Sequence, residues 1–184
     1  IYSQKSFWDI YDKSSPFRDT NYNPGIGVGH YIIKNNKLKG AVMVSLEHES
    51  NGKAGEDSRS WNYLNLSAKY FYNMRLSAKA QVYLPYVDGG NNKDLLRYKG
   101  YGIFSVNYID SKNLWWFSLN IIPRDQFINP NLHTSLSFRV SKNSNQYLTL
   151  DYYAGYGEGL LNYKKYTNQV RIGFTIKPDF FSAY

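Results

Sequence analysis

Cysteine is absent from the 184 residues, so the chain cannot build a disulfide scaffold, a thiol nucleophile or a thiolate metal site. Long apolar runs are missing too, and without about 20 consecutive apolar residues no segment is a candidate spanning helix. Proline is scarce, at six residues. No charged, then apolar, then small-residue leader stands at Ile1, so any secretory signal is expected to have been removed from this form. Acids are outnumbered, with 22 Lys and Arg against 14 Asp and Glu, a formal charge of +8. The basic residues are dispersed without a cluster, which argues against nucleic acid as a partner and suits balancing interior carboxylates or meeting anionic head groups and lipopolysaccharide. What is abundant is aromatic side chain: 19 Tyr, ten Phe and four Trp make 18% of the chain, too much for a disordered segment. A length near that of one ordinary domain predicts a single unit, residues 1–184.

Period two runs through most of the chain. In Gly40–Ser50 the even positions are Gly40, Val42, Val44, Leu46, His48 and Ser50, and the odd ones Ala41, Met43, Ser45, Glu47 and Glu49. Residues 76–86, 132–140 and 170–176 alternate in the same way, and no comparable 3.6-residue stripe is present. Successive strand side chains point to opposite faces, so each segment has an apolar and a polar side. The chain reads as all-β, with about ten strands near 1–12, 24–34, 37–50, 59–72, 75–87, 95–109, 113–122, 131–141, 146–157 and 165–177.

The connections alternate in length. Tight ones fall at 35–36, 73, 111–112 and 143–145, where Asn and Ser tolerate left-handed backbone. Longer polar ones fall at 13–23, 51–58, 88–94, 123–130 and 158–164. Such alternation puts all long loops at one end of an up-and-down antiparallel meander, the layout of a transmembrane outer-membrane β-barrel. A closed barrel also satisfies its backbone polar groups inside lipid. A soluble sandwich or lipocalin-like barrel would instead turn the apolar alternation inward. Against that stand charged and bulky groups on the polar face (Arg75, Lys79, Gln81, Arg139, Arg171, Lys177), suited to a hydrated lumen shared with Glu47 and Glu49. Aromatics near strand ends (Tyr70, Tyr72, Tyr86, Tyr108, Trp115, Tyr152, Tyr156) suit interfacial girdles.

His48 and Ser50 break the pattern, because they share the face of Val42, Val44 and Leu46 and so point toward lipid. In the next strand Ser60, Asn62, Leu64, Leu66, Ala68 and Tyr70 share a side, and a hairpin closed by loop 51–58 brings Asn62 opposite His48. Cross-strand Cβ atoms in such pairs lie ~4.5–5.5 Å apart. A serine needs an imidazole to take its proton, and the imidazole needs an acceptor on its other nitrogen, a task open to an Asn carbonyl. Gly52 can present a backbone N–H to an oxyanion. Each residue alone is unremarkable for a surface or a turn, and their shared apolar face is what singles them out.

Here the sequence resembles the outer membrane phospholipase A family. The resemblance rests on His48-Glu49-Ser50-Asn51-Gly52 followed by Ser58-Arg59-Ser60-Trp61-Asn62, on Ser14 through Tyr22, and more weakly on Tyr153 through Leu160. It implies Ser50 as nucleophile, His48 as general base, Asn62 as the residue orienting it, and the Gly52 amide as half of an oxyanion hole. It further implies Ca²⁺ held in a homodimer by Ser58, the Lys53 carbonyl and Ser14 of the partner subunit, oxygen ligands that a hard cation prefers. Gln4, expected on the lipid side beside Tyr2 and Trp8, matches a dimer contact. Lys53 stands where the family usually has Arg. The acids beside Gly55 are Glu56 and Asp57 in place of an Asp used by a calcium site of the monomer. The family barrel has twelve strands and this chain starts at what looks like its third, so either two strands lie upstream of Ile1 or the barrel closes with ten.

The resemblance thus implies a calcium-dependent outer-membrane esterase acting on (lyso)phospholipids and activated by reversible dimerisation. Its catalytic residues are expected at the outer-leaflet rim, with lipid and lipopolysaccharide as neighbours. The alternatives are a non-catalytic channel or adhesion barrel, indifferent to replacement of His48, Ser50 and Asn62, and a soluble lipid carrier.

Overall fold

The computed structural model describes residues 1–87, 90–125 and 129–178. Ten strands form one sheet in chain order, each antiparallel to the next: β1 (Tyr2–Trp8), β2 (Phe17–Lys34), β3 (Lys37–Ser50), β4 (Ser60–Phe71), β5 (Leu76–Tyr86), β6 (Gly102–Ile109), β7 (Trp115–Ile122), β8 (Asn131–Arg139), β9 (Gln146–Gly155) and β10 (Thr167–Ile176). Among the described residues no helix is long and apolar enough to cross a membrane. Asn35 and Asn36 both take positive φ, 52° and 54°, the conformation a two-residue hairpin turn requires. The four tight turns lie at one rim, and the described parts of the longer connections, 9–16, 51–59, 90–101, 123–125, 129–130 and 156–166, at the other.

The sheet is inside out relative to a soluble protein. On β3 Val42, Val44 and Leu46 are 41%, 43% and 62% exposed, whereas Ser45 on the opposite face is 1% exposed. Buried Asn65, Ser77, Ser137 and Thr149 continue that polar interior on other strands. Two apolar clusters occupy the interior ends. Trp61, Tyr63, Leu95, Leu96, Leu160 and Tyr163 pack near the long loops, and Ile109, Trp116 and Tyr147 near the short turns. Among the described residues no ladder joins β1 to β10. Glu158, in the last loop, reaches both strands instead: Lys5 Nζ of β1 lies 3.1 Å from its Oε1 and Arg171 Nη1 of β10 2.7 Å.

Several boundaries differ from the sequence expectation. The first strand stops at Trp8, not 12, and the second starts at Phe17, not 24. Residues 17–23 alternate with polar groups inside, and buried Asp19 and Asn21 accept the amides of Leu161 and Leu160, both at 3.0 Å. Asp and Asn in sequence suggest a loop, but here they line a wet interior. The expected strand 95–109 is split: α1 (Leu95–Lys99) precedes β6. Leu95 and Leu96 drive that turn of helix into the rim cluster, and Gly100, with φ +96°, ends it. One turn is too short to leave a helical stripe. Of the charged groups expected in the lumen, Lys79, Arg139, Arg171 and Lys177 are half-buried there, but Arg75 sits exposed in a tight turn.

Candidate active site

Three consecutive rungs of the β3–β4 hairpin build the site: Ser50 pairs with Ser60, Glu49 with Trp61 and His48 with Asn62. Alternation sends the first and third rungs outward, on the apolar wall, and the middle one inward. On the outer face His48 Nδ1 is 2.9 Å from Asn62 Oδ1. A carbonyl oxygen only accepts, so Nδ1 donates and Nε2 is left as the acceptor, the tautomer a general base needs. The sequence therefore predicted both the pairing and the face. Ser50 follows His48 by two residues on that face and is half-buried. Among the described residues no hydrogen bond joins its hydroxyl to the imidazole, so the structure brings His48 and Asn62 into contact and leaves Ser50 beside them.

The inner face explains why these rungs hold their register. Trp61, 1% exposed, donates its indole N–H to Glu49 Oε2 at 2.7 Å, and Lys99 Nζ lies 3.1 Å from Glu49 Oε1. Hydrogen bonds to charged groups contribute about 1.5–3 kcal/mol each. Two rungs below, Glu47 accepts from Ser45, Asn65 and Tyr63 at 2.7, 2.7 and 2.8 Å. The Trp61 and Tyr63 rings stack at 4.0 Å. Asn23 Nδ2 donates to the His48 carbonyl at 3.0 Å, fixing the strand from the β2 side.

The loop above is ordered by side-chain bonds to its backbone, from Asn51 and Arg59 within it and from Asn91 and Asn92 of the next long connection. Asn51, 4% exposed, donates to the Asp57 carbonyl at 2.9 Å and accepts the Arg59 amide at 3.0 Å. The Arg59 guanidinium donates to the Ser58 carbonyl at 2.9 Å, Asn91 donates to the Gly55 carbonyl at 2.9 Å, and Asn92 to that of Ser60 at 2.8 Å. Gly52 has φ +63°, and a Cβ there would lie 3.2 Å from the ring of Tyr22. Tyr22 pairs with Ser50 from β2. Sequence reasoning placed Tyr22 in a loop and missed it, as it missed Asn51, Asn91 and Asn92. The Asn51-Gly52 pair was the one available signal, since side-chain bonds to distant carbonyls leave no periodicity.

Among the described residues no cluster of His, Asp or Glu could ligate a metal, so an ion here would depend on hydroxyl and carbonyl oxygens. Ser58 is half-buried and its hydroxyl is uncommitted among the described residues. Lys53 is exposed in the same loop. Ser14 stands exposed in the β1–β2 connection at the same rim, with φ +66°, and no hydrogen bond links it to loop 51–59. Hydroxyl and carbonyl oxygens of this kind are the donors a hard cation such as Ca²⁺ prefers, so the residue types fit the ion. Gln4 lies on the outer face of β1 as expected: its Oε1 accepts from Tyr2 at 2.8 Å and its Nε2 donates to Ser6 Oγ at 3.2 Å.

Comparison with known proteins places the fold in a family. A family model described as phospholipase A1 matches residues 1–176. Phospholipase A1 of Salmonella typhimurium is 30% identical over 94% of this chain and 58% of its own length, and that of Escherichia coli K12 is 28% identical over the same shares. The chain thus spans less than two thirds of these relatives. Outer membrane phospholipase A from Escherichia coli superposes with a TM-score of 0.85 at 26% identity, covering 97% of this chain and 69% of that one. The Salmonella typhi outer membrane phospholipase dimer with bound calcium superposes with the same score at 27% identity, covering 97% and 70%.

Proposed function

The chain belongs to the phospholipase A1 family, and on that premise we propose that residues 1–184 act as one outer-membrane domain hydrolysing acyl esters of phospholipids and lysophospholipids on the outer wall of its barrel. The observation that carries the reading is the 2.9 Å His48–Asn62 hydrogen bond on a face otherwise made of Val42, Val44 and Leu46. A soluble protein has no use for an oriented imidazole among exposed aliphatic side chains; an enzyme whose substrate is the surrounding lipid does.

In this reading a phospholipid lies along β3 and β4 with its ester level with Ser50. The Ser50 oxygen bonds to the ester carbonyl carbon while its proton passes to His48 Nε2. The Gly52 amide, aimed by left-handed backbone, donates to the oxygen that gains charge. Collapse breaks the bond to the alkoxide, which takes the proton from His48. Water then attacks the acyl-serine, His48 again accepts the proton and returns it to Ser50, and the fatty acid leaves. Asn62 holds Nδ1–H throughout and so keeps the imidazole in the useful tautomer. A Ca²⁺ ion held by Ser58, the Lys53 carbonyl and Ser14 of the partner subunit would supply positive charge beside that oxyanion. The partnership would also make activity depend on dimerisation, with Gln4 on the contacting wall. Long-loop connections at the outer-leaflet rim would meet lipopolysaccharide.

The channel alternative fares worse, because Trp61, Leu95, Leu160 and Tyr163 pack into a buried apolar cluster beneath the long loops, beside a lumen cavity of about 480 Å³. Phospholipid hydrolysis by Ser50→Ala against wild type, with calcium and with a chelator, tests the proposal. Loss of activity in the variant and in chelator is expected. A fully active Ser50→Ala protein would remove the serine mechanism.

A further inference from the structure

The short-turn rim carries a charge pattern that the reaction does not use. Residues 31–42, 67–80, 104–118, 135–150 and 173–178 hold ten Lys and Arg and one Asp. The other described residues hold twelve Lys and Arg against eleven Asp and Glu, so nearly all of the positive surplus lies at one end. Basic residues that are scattered in sequence are gathered by the meander. Asp110 is the one acid in these segments; its carboxylate accepts the amides of Lys112, Leu114 and Trp115 at 3.1, 2.7 and 2.8 Å and offsets one of the ten positive charges. The ion pairs among the described residues use Asp9, Glu49, Asp94, Asp125, Asp151 and Glu158, and none reaches Lys34, Lys37, Lys39, Arg75, Lys112 or Lys142.

Two further features say what this charge faces. Tyr70, Tyr72, Tyr108 and Trp115 are exposed on the outer wall at the same end. Amphipathic rings in that position mark the depth of lipid head groups, which puts the basic rim at their level. Beside it opens a groove of about 610 Å³ lined by Leu38, Phe71, Tyr72 and Met74, with Lys37 and Lys39 also in its lining. Apolar walls next to two ammonium groups complement an acyl chain that ends in an anionic head group.

We propose that the short-turn rim binds anionic glycerophospholipids of the leaflet it meets, with one seated in the groove between Leu38 and Met74. Attraction of this kind sums over the lysines and arginines within a Debye length of the surface. The surface lies at the opposite end of the strands from Ser50 and does not depend on catalysis. It does rest on the strands spanning a bilayer.

The test uses the protein folded into ether-linked phosphatidylcholine vesicles, which hold no ester to hydrolyse, with spin-labelled phosphatidylglycerol or phosphatidylcholine as the probe. A preference for phosphatidylglycerol of about threefold or more is expected in 0.1 M salt. It should fall toward unity in 1 M salt, where the Debye length shrinks to ~3 Å, and in a K34Q/K37Q/R75Q/K112Q/K142Q variant. A K13Q/K93Q/K165Q variant, altered at the other rim, should keep it. Equal association of both lipids with wild type, or a preference that survives both high salt and the rim variant, overturns the proposal. So does heparin binding without lipid preference, which would assign the rim to a soluble polyanion. Absence of any motionally restricted lipid would overturn the spanning reading as well, so the two failures are distinguishable. If the rim variant does not fold, the salt titration of wild type alone decides between these outcomes.

Discussion

Trp61 and Glu49 face each other inside the barrel, joined by a 2.7 Å hydrogen bond, on the rung that lies between the two outward rungs carrying Ser50 and His48. Because side chains alternate, a one-residue slip of β4 against β3 would turn both residue sets to the wrong face. The inner bond therefore sets the register of the outer chemistry. Trp61→Phe keeps the bulk and removes the donor. It is expected to destabilise the fold by about 1.5–3 kcal/mol in denaturant titration and to lower kcat for ester hydrolysis, with KM little changed. Full activity at unchanged stability would show that the register has other guardians.

Gly52 meets two constraints at once, a φ of +63° and the Tyr22 ring where a Cβ would stand. Left-handed backbone costs a side-chain-bearing residue about 1–2 kcal/mol. Gly52→Ala is expected to lose about that much stability and, by tilting the amide, to reduce kcat. Gly52→Ala combined with Tyr22→Ala should relieve the ring contact but not the backbone strain, so only part of the stability should return. Complete recovery in the double variant would locate the whole cost in the ring.

Glu158 supplies a pH dependence. Burial alone would raise its carboxyl, but the hydrogen bond from Arg171 and the charge of Lys5 outweigh burial and hold it below the ordinary carboxylate range. A depressed folded-state value means that the unfolded chain takes up the proton first. The stabilisation is present above the ordinary Glu value of 4.5 and disappears as the pH drops through the lowered one. Thermal unfolding followed from pH 7 to pH 3 should therefore show a decline that Glu158→Gln lacks. At neutral pH the same substitution leaves Lys5 and Arg171 facing each other across the β1–β10 gap and should cost about 1–2 kcal/mol, less than for a fully buried pair because the two cations are 50% and 36% exposed. A variant as stable as wild type at pH 7 would mean that the two edge strands are held by something else.

What could be read in advance was whatever obeys period two. Val42, Val44 and Leu46 announce an outer wall, and counting residues through loop 51–58 is enough to set Asn62 against His48. Residues 17–23 were hidden because Asp19 and Asn21 look like loop formers until the interior is known to be wet. Leu95 and Leu96 were read as strand because a single helical turn has no repeat to detect. The loop fixed by Asn51, Asn91 and Asn92 is set by side chain to backbone bonds across as many as 36 residues, which no local pattern encodes. The basic rim escaped for a topological reason: Lys37, Arg75, Lys112 and Lys142 are far apart in sequence, and only the meander makes them neighbours.

The outward placement of the imidazole has a pharmacological corollary. Under the proposed mechanism the reactive groups lie on the wall, on the opposite face of the sheet from the polar lumen lined by Asn21, Asn23, Glu49 and Lys99, so an inhibitor that entered the lumen would not reach them. A blocking compound would have to arrive sideways through the bilayer, and its potency would follow its partition coefficient more than its aqueous affinity.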